Sequence, residues 1–105
     1  MGLSISVIAK SKNEYASVFE WDFDGRSTFN YFRDFMVSQF NYKYGEDMPL
    51  DKTKIKLMVK KIIDHSHCFG DDDIAINRNC EMLGALLTCR NIIDNGGEAT
   101  WECDW

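Results

Sequence analysis

The stretch from Asp71 to Asn95 sets the terms for the rest of this chain. Asp71-Asp72-Asp73 precedes an apolar series, and Asn95-Gly96-Gly97 closes it. The steps from Ile76 to Cys80, Leu83 and Leu87 are four, three and four residues, the spacing of one helical face. Ala75, Met82, Leu86 and Ile93 widen that stripe. A stripe this wide predicts a helix packed deep in a core. Aspartates at its start suit the N-cap and the positive end of the helix dipole. The Asn-Gly-Gly run tolerates the left-handed backbone that ends a helix. Gly84, inside the helix, costs about 1 kcal/mol against alanine and is read as a site of close approach by another element.

Three other segments alternate with the period of a half-buried strand. In residues 3–9, Leu3, Ile5 and Val7 point one way and Ser4 and Ser6 the other. Phe19, Trp21 and Phe23 alternate with Glu20, Asp22 and Asp24, and Gly25 ends the run. Ala99, Trp101, Cys103 and Trp105 alternate with Glu98, Thr100, Glu102 and Asp104. The first two segments predict an antiparallel hairpin.

Two further helices are expected between them. Ser27 is a plausible N-cap for a helix over 28–43, with Phe29, Phe32, Met36 and Phe40 inward. Seven of the fourteen aromatic residues lie between Phe29 and Tyr44, which reads as a wide core contact or as a partner surface. Gly45 to Leu50 reads as a loop. Asp51 caps a helix to about Ser66, with Ile55, Met58, Val59, Ile62 and Ile63 inward. Lys52, Lys54, Lys56, Lys60 and Lys61 take its other faces; with no arginine or aromatic interleaved, they read as a solvated face, and no direct nucleic-acid binding is expected. The order β-β-α-α-α-β predicts an α+β fold: three helices covering one face of a three-stranded antiparallel or mixed sheet. Two of the strands carry acidic outer faces, and like charges directly opposite one another destabilise a sheet. Placing the neutral first strand between them, order 2-1-3, separates the acidic rows by roughly 9.6 Å.

The chain has 105 residues, 45% of them hydrophobic, enough for a single domain with its own core. No apolar run is long enough to span a bilayer, and no secretory signal is visible. The opening Met1-Gly2-Leu3-Ser4-Ile5-Ser6 fits the N-myristoylation pattern but falls in a predicted strand. The four cysteines, at 68, 80, 89 and 103, have no framework spacing. They read as reduced thiols of a cytoplasmic protein, with Cys80, Cys89 and Cys103 as small core hydrophobes.

Charge is unevenly spread. Residues 26–70 hold eight basic and five acidic side chains, whereas residues 71–105 hold two and eight. Glu20, Asp22, Asp24, Glu98, Glu102 and Asp104 fall on one predicted sheet face. This is either a solvated surface or a field complementary to a basic protein. Glu20 to Gly25 resembles the start of an EF-hand loop, but the twelfth position is Tyr31 where a glutamate is needed, which excludes that calcium site. His65, His67 and Cys68 gather metal-ligand types, though not at helical ligand spacing. Cys68 with His65 or His67 is a conceivable nucleophile pair, but no oxyanion hole, substrate pocket or phosphate loop is recognisable, and neither enzymatic activity nor a cofactor is expected. The Met1-Gly2-Leu3 opening, the Leu86-Leu87-Thr88-Cys89 segment and the aromatic terminal strand resemble small phage-encoded proteins of unknown role, a resemblance that carries over no site residue. The leading expectation is an acidic inhibitor or immunity-type module, monomeric or weakly dimeric, that docks its six carboxylates on a basic partner such as a nuclease. A metal-binding protein using His65, His67 and Cys68, and a phage or mobile-element accessory protein, are the alternatives.

Overall fold

A computed structural model describes residues 4–12, 18–23, 30–64 and 73–104. Its elements are β1 (Ser4–Lys10), β2 (Val18–Phe23), α1 (Asn30–Phe40), β3 (Met48–Pro49), α2 (Lys52–Asp64), α3 (Asp73–Asp94) and β4 (Glu98–Asp104). The strands form one antiparallel sheet in the order β2-β1-β4-β3. The α+β class, the hairpin and the relative order of the three long strands follow the alternation in the sequence.

The sheet has four strands, not three. The segment expected to be a loop contributes β3, with Met48 opposite Trp101 and Pro49 opposite Thr100. The C-terminal strand therefore lies inside the sheet. Two residues are too few to show a period, and Pro49 at a sheet edge has no N–H to leave unpaired. Three backbone or side-chain contacts hold this edge to β4. Leu50 N–H donates to the Ala99 carbonyl at 2.9 Å, and Gly45 N–H donates to that of Cys103 at 3.2 Å. The buried Tyr42 hydroxyl accepts from Cys103 N–H at 2.6 Å and donates to the Glu46 carbonyl at 2.6 Å. Burial pushes that hydroxyl up to about 12, while the bond from Cys103 opposes the rise.

The inner face of the sheet carries Ile5, Val7, Ala9, Phe23, Ala99, Trp101 and Cys103, all buried. Alternation along β1 and β4 is complete, so each outward neighbour is at least partly exposed. Phe32 of α1 packs on Trp101 with ring centroids 5.4 Å apart, and Phe35 lies against Phe32 and Phe40. The aromatic segment is thus largely a core contact, although Tyr44 is exposed. Helix α1 ends at Phe40, earlier than expected, because Asn41 takes a left-handed φ of 55°. Ser27, Phe29 and the side chain of Tyr31 lie outside the described residues.

Helix α2 starts as its sequence predicts: Asp51 accepts from Lys54 N–H at 2.7 Å, an N-cap. Ile55, Met58 and Ile62 are buried, and Val59 packs against the core. Ile63, expected inward, is 60% exposed.

Helix α3 is rotated from its expected setting. Met82, Ala85, Leu86, Cys89 and Ile92 are buried, while Leu87 and Cys80 are exposed and Leu83 is half-buried. The inward stripe has moved by one residue, roughly 100° around the axis. Cys80 is therefore a surface thiol rather than a core hydrophobe. The reason is visible in the run from Cys80 to Ile93, where apolar residues occupy nearly the whole circumference. Such a run fixes a helix without fixing which side faces in. Gly84 has nothing within 4 Å of where a Cβ would stand, so it permits no close approach. Close approach occurs instead at Gly97, where a Cβ would fall on the Lys10 carbonyl and the Ile92 side chain. That glycine lets the chain leave α3 and enter β4 directly against β1. Gly96, at φ 87°, makes the turn.

Candidate acidic docking face

In an antiparallel sheet, residues directly opposite one another share a face. The register of β1 with its two neighbours therefore defines the outer rows. Ser6 stands between Asp22 and Glu102; Ile8 stands between Glu20 and Thr100; Lys10 stands between Val18 and Glu98; Ser4 is opposite Asp104. Glu20, Asp22, Glu98 and Asp104 are exposed and Glu102 is half-buried. The topology thus places five of the six predicted carboxylates on one face. Asp24 lies outside the described residues.

The Ser6 row holds the densest negative charge. Ser6 Oγ donates to an Asp22 carboxylate oxygen at 2.9 Å, which fixes that side chain over β1. On the far side of the row, β3 brings Asp47 beside Glu102. The register Met48–Trp101 makes these two the next pair along, on the outer face. Glu102 holds its proton above the usual carboxylate range. The main cause is its hydrogen bond with Asp47, followed by desolvation and the negative charges of Asp47 and Asp104. Asp47 was missed in the sequence because it lies in the segment read as a loop. Its only signal was the following Met-Pro pair.

Lys10 was missed as well. It interrupts the acidic face, two rows from Glu102 and opposite Glu98. With Ile8, Asp47, Glu98, Ala99, Thr100 and Glu102 it lines an open recess of about 280 Å³ on the outer face. Trp101 lies on the other side of the same strand, fully buried, and supports this face from beneath; its Nε1 has no hydrogen-bond partner among the described residues. Trp105 lies outside them.

The other candidate groups give no site among the described residues. His65, His67 and Cys68 lie outside the described residues, as do Asp71 and Asp72. Among the described residues, no three His, Cys, Asp or Glu side chains are placed to hold a metal ion. Burial pushes the Cys89 thiol up to about 11 and the Cys103 thiol up to about 12, so both stay protonated and poor nucleophiles near neutral pH. No described helix is long and apolar enough to cross a membrane.

Comparison of the chain with protein-family models, curated proteins and solved structures gave no match.

Proposed function

We propose that the outer sheet face is a docking surface for a basic protein, and that the chain is a small inhibitor or immunity-type module of a nuclease or another nucleic-acid-binding protein. The observation that carries this reading is the row Asp22–Ser6–Glu102 with Asp47 beside it. Like charges held side by side destabilise a fold. Places where a chain breaks a local rule of stability are often places where it works. An arginine or lysine arriving over Asp47 and Glu102 relieves that repulsion and receives charge-assisted hydrogen bonds. Proteins that hold nucleic acid present basic surfaces to phosphate, so a sheet of carboxylates is complementary to such a surface and competes with its substrate. The lysines of α2 belong to the helical layer on the other side of the sheet, which gives the domain two faces of opposite charge.

The test is a pair of charge reversals read against one captured partner. The expected result is a stoichiometric basic protein whose binding falls steeply with salt. Asp22→Lys with Glu102→Lys abolishes its capture, while Lys56→Glu with Lys60→Glu leaves it intact. The reverse pattern assigns binding to α2 and overturns the proposal.

A further inference from the structure

The two edges of the sheet are unequal, and this points to how a partner engages. One edge is β3, two residues long, containing Pro49 and tied down by the bonds of Leu50, Gly45 and Tyr42. It offers almost no backbone to a further strand. The other edge is β2, six residues long and, among the described residues, paired with β1 alone. A strand paired on one side turns the N–H and C=O groups of its other side toward any extended chain that can approach.

The side chains of β2 state which chain that is. Toward the outer face it shows Glu20 and Asp22; toward the other it shows Phe19 and Trp21, stacked with centroids 6.0 Å apart. On that side Phe19 is 41% exposed and Trp21 half-buried, whereas Phe23 at the opposite end is buried. The apolar side of the strand is therefore left uncovered over its first half. A strand laid against it meets carboxylates on one face and an aromatic pair on the other.

We propose that β2 is an augmentation edge that accepts an extended segment of the basic partner, one alternating lysine or arginine with apolar residues. The inference rests on the proposed docking of a basic protein and adds its mode. Backbone hydrogen bonds supply affinity, and the alternation supplies register and specificity. Basic residues of the incoming strand lie opposite Glu20 and Asp22, extending the outer face, while its apolar residues cover Phe19 and Trp21. A second copy of this chain is a poor occupant. The registers with the longest overlap that keep the apolar sides together set Glu20 against Glu20 or Asp22, and like charges directly opposite are unfavourable.

The probes are two capped peptides of one composition, the first alternating lysine with valine and threonine, the second with its lysines grouped. Binding is followed by tryptophan fluorescence, and amide hydrogen exchange locates it. The expected result is protection of the amides of residues 18–23 by the alternating peptide alone, with affinity falling about tenfold or more in Glu20→Lys with Asp22→Lys. Phe19→Ser, at an exposed position, weakens it as well, and thermal unfolding by circular dichroism verifies that each variant folds. Equal binding of both peptides without protection of residues 18–23, weakened by Glu98→Lys with Asp104→Lys, overturns the edge and leaves the acidic-face reading standing. No binding of the alternating peptide, beside salt-sensitive binding of a folded basic protein, does the same. A dimer of this chain in light scattering that is lost on Phe19→Ser overturns the proposal in favour of self-pairing.

Discussion

On the inner face of the sheet, Val7 and Trp101 are wholly buried opposite each other; one residue along, on the outer face, Ser6 stands between Asp22 and Glu102. The two rows share the same strands and lie about 3.4 Å apart along them. The first row removes apolar surface from water and is bounded by Phe32 of α1. The second has the hydrogen bond from Ser6 to Asp22 and that between Glu102 and Asp47, and it bears the repulsion of the latter pair when both are charged. Stability is therefore concentrated on one side of each strand, and the other side is free to be specified by something else. A sheet covered on one face separates the two tasks residue by residue.

The largest expected effect comes from the inner row. Trp101→Ala removes a fully buried side chain and leaves a cavity against Phe32, costing about 3–5 kcal/mol. Chemical denaturation measures it, and a loss below about 1 kcal/mol would mean that this row is not the core. Next comes the junction between the helical layer and the sheet. Gly97→Ala drives a methyl group into the Lys10 carbonyl and Ile92, and the repair costs about 1–3 kcal/mol. An unchanged melting temperature would show that β1 and the α3–β4 turn are not in close contact.

The smallest effect is expected on the outer row. Glu102→Gln lies within about ±0.5 kcal/mol of the wild type at neutral pH, as surface changes generally do. Its signature is in the pH dependence. Glu102 keeps its proton to higher pH folded than unfolded, because of its hydrogen bond with Asp47 and its desolvation. Across that window the unfolded chain binds fewer protons, so this contribution to stability is full below the ordinary glutamate range and is lost as pH rises through the raised folded value. The wild type therefore loses stability over that window relative to Glu102→Gln, which has no proton to lose there. Unfolding midpoints at a series of acidic to neutral pH values measure the difference. Equal slopes in the two proteins would remove Asp47 from the row.

Much of the candidate site was legible because strand alternation is a local property. Glu20, Asp22, Glu98, Glu102 and Asp104 share a face by parity alone, once β2, β1 and β4 pair in that order. Repulsion between the acidic rows was enough to argue for that order. Asp47 was not legible, since its place depends on a strand of two residues that β4 organises from a distance. Lys10 lies just past the alternating run of residues 3–9, and only the length of the pairing with β4 puts it opposite Glu98.

The sequence by itself determined three alternating strands, the Asp51 cap on α2, and the Asn95-Gly96-Gly97 stop after α3. Each depends on residues within one or two turns of chain, where periodicity, caps and glycine act directly. Tertiary structure decided which side of α3 faces the sheet, that β4 is an inner strand, and that, among the described residues, β3 closes one edge while β2 pairs on one side alone. Those outcomes depend on contacts such as that of Tyr42 with Cys103, 61 residues apart in the chain. Nothing local records such a contact: a helix apolar around most of its girth fits its neighbours in several rotations, and the packing of the whole core selects one.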